Sequence, residues 1–201
     1  MLFVKQIFWF SLLNLGFYTP VGMSGDNTLK PVKLVNKAVS VEELVLNPNR
    51  GMVYYMEKPF TGAGIATYPN GVVSEVITYL NGKRDGVLQR WFENGLLSFE
   101  ANYEANKLNG VVKSWWSNGK QRSMANFHRG VVHGVQKQWY ISGQLFKVLH
   151  IVEGKEEGLQ QAWRENGKLF VNYEAKDGRI YGLKRASLCY ELVDENIAID
   201  E

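Results

Sequence analysis

Gly86-Val87-Leu88-Gln89-Arg90-Trp91-Phe92-Glu93-Asn94-Gly95-Leu96-Leu97-Ser98-Phe99-Glu100-Ala101-Asn102-Tyr103 is two apolar-rich runs joined at an Asn-Gly pair, and its plan returns every 24 residues. The turn dipeptide recurs as Asn70-Gly71, Asn94-Gly95, Asn118-Gly119, Ser142-Gly143 and Asn166-Gly167. A second glycine keeps step at Gly62, Gly86, Gly110, Gly134, Gly158 and Gly182. A third register holds Gly82, Gly130, Gly154 and Gly178, with Asn106 in the remaining place. Asn is the non-glycine residue that best tolerates a left-handed backbone, so Asn106 preserves the turn. A fixed period of this length signals a stacked repeat architecture.

Each repeat reads as one β-hairpin, because Asn-Gly between apolar runs predicts a tight turn with positive φ at both positions. The odd-numbered registers carry the bulk: Trp91, Trp115, Trp139 and Trp163; Val87, Val111, Val135 and Leu159; Val73, Leu97, Leu145 and Leu169, with Gln121 the exception; and Tyr79, Tyr103, Phe127 and Ile151. Alternation along a strand then predicts one apolar face, with the tryptophans stacked in it. One hairpin cannot bury such a face, but stacked neighbours can. Two strands per repeat give a rise of roughly 10 Å. A helix is the poorer alternative, since no 3.6-residue period runs across 12 residues without a glycine interrupting it. The expected fold is all-β: a single-layer antiparallel ribbon of hairpin repeats.

The pattern Gly-x4-Trp-aromatic-x-Asn-Gly-x7-Tyr resembles the bacterial variant of the MORN repeat. With Pro59-Phe60-Thr61-Gly62 at the start and Gly178-Arg179-Ile180-Tyr181-Gly182-Leu183-Lys184-Arg185 at the close, the chain looks like the YwqK-type MORN-variant proteins. That resemblance covers roughly residues 50 to 190. Proteins of this type are often labelled antitoxins of a toxin–antitoxin pair. The resemblance implies no catalytic residue, and it points to protein partners or membrane lipid.

The 201 residues, 45% hydrophobic, suit one folded domain with appendages. Residues 1–24 place Lys5 before an uncharged run with an apolar centre at Ile7–Leu15 and small residues Gly22 and Ser24. This layout predicts a signal peptide and an exported, periplasmic or secreted protein. The alternatives are an uncleaved anchor, which Asn14 and Pro20 weaken, or a buried strand. Residues 25–51 form an N-terminal extension, in which Val39–Leu46 suits a short strand or one helical turn. The repeats occupy 52–182, and 183–201 is a closing cap with an acidic tail carrying Glu191, Asp194, Glu195, Asp200 and Glu201. The lone Cys189 reads as a small buried hydrophobe.

Two surfaces are candidates for function. Tyr68, Phe92, Trp116, Tyr140 and Arg164 form one register next to the tryptophans, facing the other way, and are of residue types that dominate protein-binding hot spots. They are the expected partner-binding row; packing within the sheet is the competing role. Lys83, Lys107, Lys155 and Arg179 form a basic edge suited to anionic lipid or to keeping the edge soluble. A net charge of +3 and the absence of a reading motif speak against nucleic acid. His128, His133 and His150 occupy unrelated registers, and no Cys-x2-Cys, Gly-x-Ser-x-Gly or phosphate loop occurs. No metal, cofactor, small-molecule substrate or enzymatic activity is therefore expected.

Overall fold

The computed structural model describes residues 37–183. The expected signal peptide or anchor, Cys189 and the acidic tail lie outside them. The described chain is all-β. The N-terminal extension supplies β1 (Ala38–Ser40), a 3-10 turn (Val41–Glu43) and β2 (Val45–Asn47), so Val39–Leu46 contains both of the forms anticipated for it. The hairpin of β3 (Met52–Tyr55) and β4 (Lys58–Pro59) turns through Met56 and Glu57, both at positive φ, and forms a small three-stranded sheet with β2.

The long sheet begins with β5 (Gly62–Thr67) and β6 (Val73–Leu80). It continues through β7 (Lys83–Trp91), β8 (Leu97–Glu104), β9 (Lys107–Leu108), β10 (Gly110–Trp115), β11 (Gln121–His128), β12 (Val131–Val132) and β13 (Gly134–Trp139). It closes with β14 (Leu145–Val152), β15 (Lys155–Glu156), β16 (Gly158–Trp163), β17 (Leu169–Lys176) and β18 (Arg179–Leu183). These elements and β1 make a 15-stranded sheet whose order follows the chain. Only β1 is out of sequence, lying parallel to β5; the other pairings are antiparallel. The sheet is therefore mixed, and its hairpins recur at regular spacing.

The Asn-Gly turns differ from the sequence expectation, whereas the turns of the third glycine register are left-handed as expected. At the Asn-Gly register only the glycine is left-handed: Gly71, Gly95, Gly119, Gly143 and Gly167 have φ of 83, 81, 80, 93 and 83°. Gly71 N–H donates to the Tyr68 carbonyl at 2.9 Å, closing a type I turn whose Asn stays in the right-handed region. The Asn is used for its side chain: Oδ1 of Asn70, Asn94, Asn118 and Asn166 accepts from the backbone N–H two residues on, at 3.0–3.1 Å. Turns with two left-handed residues lie at the other end, at Asn81-Gly82, Ala105-Asn106, Arg129-Gly130, Glu153-Gly154 and Asp177-Gly178. Asn106 has φ 71°, as its register requires, and its amide also bridges Arg84 N–H (2.7 Å) and Gly51 O (2.9 Å). A glycine there would lose the tie to the N-terminal sheet.

The apolar face also needs correction. Within each hairpin an odd residue pairs with an even one: Leu88 with Ala101, Gly86 with Tyr103. Near the Asn-Gly turn the register shifts, so that Trp91 pairs with Leu97. Val87, Trp91 and Leu97 thus share one face, while Tyr103 and its register lie on the other. The deepest side chains sit on this second face. Ile77 and Leu88 are each 3% exposed and Ala101 is fully buried, and they pair in succession across β6, β7 and β8. Val41 and Leu44 reach over Gly64 toward Ile77, and Phe60 packs between Tyr55 and Tyr79. The tryptophans on the first face are only half-buried.

Candidate functional site

The expected binding row is built into the contacts between repeats. Tyr68, Phe92, Trp116 and Tyr140 are half-buried and Arg164 is exposed. Each opens its turn, the backbone N–H donating to the carbonyl four residues later, as Trp116 does to Lys120 at 2.8 Å. Tyr68 Oη donates to the Trp91 carbonyl at 2.9 Å, Trp116 Nε1 to the Trp139 carbonyl at 3.2 Å and Tyr140 Oη to the Trp163 carbonyl at 2.9 Å. Every polar aromatic tip in the row therefore fastens the backbone of a tryptophan 23 residues on. Within a repeat the rings lie on the bulge residue of the following strand: Arg122 stands over Trp116 at 4.7 Å and Phe146 is 4.9 Å from Tyr140. Phe92 lacks a donor and Arg164 makes no such bond.

Asparagines of the same turns add a second line of ties. Asn94 and Asn118 donate from Nδ2 to the carbonyls of Ser117 (3.1 Å) and Ile141 (3.0 Å), again 23 residues on. In the basic register Lys83, Lys107, Lys155 and Arg179 are exposed, each directly after a left-handed turn. None is ion-paired among the described residues, where Arg90 and Glu75 form a bridge at 2.6 Å.

On the first face Trp91, Trp115, Trp139 and Trp163 stand one per hairpin, beside Leu97, Gln121, Leu145 and Leu169. Unlike Trp116, none of these four indoles makes a hydrogen bond among the described residues. Sequence reasoning placed them in the core because it assigned the odd registers of both strands to one side. Knowing the odd–even pairing would have left them on a face without the Tyr103 register.

Polar groups elsewhere serve the fold. Gln160 is fully buried; its amide accepts from His150 N–H (3.0 Å) and donates to the His150 (2.8 Å) and Gly158 (3.2 Å) carbonyls, patching the sheet where β15 gives way to β16. Gln136, one repeat earlier, donates to Gly134 O at 3.1 Å but leaves Oε1 buried without a partner. The ring of His150 meets the Leu159 carbonyl. Among the described residues no cluster of His, Cys, Asp or Glu is arranged to hold a metal.

Tyr173 is buried and donates to Glu156 Oε2 at 2.8 Å. Burial first, then the hydrogen bond and charge of Glu156, push its phenol up to about 12 from 10.0. Because the folded value is the higher one, its contribution to stability is complete below pH 10 and is lost as pH rises toward about 12. Urea melts from pH 9 to 12 are expected to show an alkaline loss of stability that is smaller in Tyr173→Phe. Equal losses in both proteins would show that Tyr173 is not its source.

No protein-family model matches the chain, and no curated protein matches it.

Proposed function

We propose that this chain is a non-enzymatic repeat scaffold, a ribbon of MORN-variant hairpins that holds a protein partner on one face. The observation that carries this reading is that, among the described residues, no second sheet or helix packs over the strands from β10 onward. Among the described residues the strands pack on their sheet neighbours, and at the start of the sheet the 3-10 turn lies on β5 while Phe60 joins Tyr55 of β3 to Tyr79 of β6. Apolar groups recur in register on the open faces, with Val73, Leu159 and Leu169 exposed. Such a surface suits a broad macromolecular contact better than a small-molecule site, which needs a concave pocket. The aromatic row from Tyr68 to Arg164 is committed to inter-repeat bonds along much of its length, leaving the tryptophan face the freer of the two. The resemblance to YwqK-type proteins, with the antitoxin-like role it suggests, belongs to this reading, as does export of the mature chain.

The basic edge supports a second reading, adsorption to anionic lipid, since its four cations are exposed and, among the described residues, not ion-paired. One experiment separates them. The full chain, immobilised and challenged with extract of its native cells, is expected to retain a specific protein through a high-salt wash. Retention of nothing, together with salt-reversible sedimentation on phosphatidylglycerol vesicles, would favour the lipid reading instead.

A further inference from the structure

Four indole N–H groups on one sheet face make no hydrogen bond to the described residues and are open to solvent. Trp91, Trp115, Trp139 and Trp163 are half-buried, and among the described residues Trp116 is the one tryptophan whose Nε1 has a hydrogen-bond partner. They are not sealed from water either: among the described residues the one enclosed, unpartnered side-chain polar atom is Gln136 Oε1. A buried indole ordinarily finds an acceptor within the protein, as Trp116 does. These four instead present an apolar plate with a donor that solvent can reach.

Their spacing is set by the sheet. Arg90 and Ser114 both pair with Phe99; Ser114 and Gln138 both pair with Ser123; Gln138 and Ala162 both pair with Lys147. The residues preceding the four tryptophans therefore lie on one line across the strands, and so do the tryptophans. Successive members are two strands apart, or about 9.6 Å. A ligand that uses all four must repeat an acceptor at that interval. An extended β-strand repeats every two residues, about 6.7 Å, and falls out of step by the second site. A polyproline II helix repeats every three residues, about 9.3 Å, and drifts by only about 1 Å over the whole row. It has no internal hydrogen bonds, so its carbonyls are free to accept, and its proline rings suit flat aromatic surfaces.

From this match we infer that the tryptophan row docks a proline-rich segment of a partner protein in the polyproline II form, one turn per repeat. The inference rests on the scaffold reading and names the partner's chemistry.

The probe is fluorescein-labelled dodecaproline, four turns long, titrated with the full chain and read by fluorescence anisotropy. Trp115→Phe and Trp139→Phe keep a ring and delete the donor. Each is expected to weaken binding about fivefold and the pair about 25-fold, the equivalent of one ordinary hydrogen bond per site. Hexaproline, which spans two sites, should bind more weakly than dodecaproline. A second readout does not depend on the variants folding: on adding peptide, the indole N–H resonances of the four row tryptophans should shift, while that of Trp116 should not. No binding of dodecaproline, equal binding by the folded double variant, or shifts confined to Trp116 would overturn the inference. So would capture of cellohexaose in place of the peptide, which would make the row a glycan site. If dodecaproline fails while the native partner is still retained, this inference falls and the scaffold reading stands. If neither is retained, both fall.

Discussion

Alanine at Ile77 or at Leu88 is expected to lower the unfolding free energy by about 2–5 kcal/mol, the range for emptying a buried aliphatic site. Both side chains are 3% exposed and pair with each other across β6 and β7, so neither vacancy can be filled by solvent or by a swinging surface group. Trp115→Ala is expected to cost less, roughly 2–3 kcal/mol, because the ring it removes is only partly buried and water can enter the space. Urea melts of the three variants, with unchanged slopes, rank them. A Trp115 loss larger than both aliphatic losses would return the core to the tryptophan face.

Gly62→Ala should be the most damaging of the glycine replacements and Gly110→Ala among the mildest, though both residues recur at the same register. Gly62 has φ 155° and Gly110 φ 97°, so both disfavour a side chain. The difference is in what a Cβ would meet. At Gly110 nothing lies within 4 Å, leaving only the backbone penalty of about 1–2 kcal/mol. At Gly62 the Cβ would run into the Lys37 carbonyl and come within 2.7 Å of Phe60 Cζ. That carbonyl accepts from Ala63 N–H at 2.8 Å, the bond that seats the start of β1 on β5. Relief requires β1 or Phe60 to move, which adds about 1–3 kcal/mol of overpacking and puts the expected loss near 3–5 kcal/mol. Hydrogen exchange at Ala63 should accelerate in Gly62→Ala and be unchanged in Gly110→Ala. Equal losses in the two variants would show that the neighbours at Gly62 yield freely.

The repeat plan was legible because glycine and asparagine report backbone geometry directly. The three registers predicted a regular series of hairpins, and Asn106 is left-handed where its place in the glycine row requires it. Which face each register occupies was not legible, since that depends on pairing. Leu88 opposite Ala101 joins an even residue to an odd one, and the shift beside Trp91 then changes the parity. Nor could turn type be read from Asn-Gly alone. The same dipeptide suits a two-residue turn or a type I turn ending in a left-handed glycine, and the Asn side chain bonding its own loop accompanies the second. For the candidate site, the sequence identified the row Tyr68 to Arg164 by residue type. What its tips touch is a carbonyl 23 residues away, a contact invisible until the hairpins are laid side by side.

The two edges of the sheet reach in opposite directions along the chain. At the left-handed turns the backbone ties run backward: Asn106 N–H donates to Arg84 O, Gly130 N–H to Leu108 O and Gly154 N–H to Val132 O. At the Asn-Gly turns the side-chain ties run forward, from Asn94 to Ser117, Asn118 to Ile141 and Tyr140 to Trp163. Each pair of neighbouring hairpins is therefore tied at both rims, by a donor of the later hairpin at one and a donor of the earlier hairpin at the other. A repeat removed whole would leave donors and acceptors that still match across the gap.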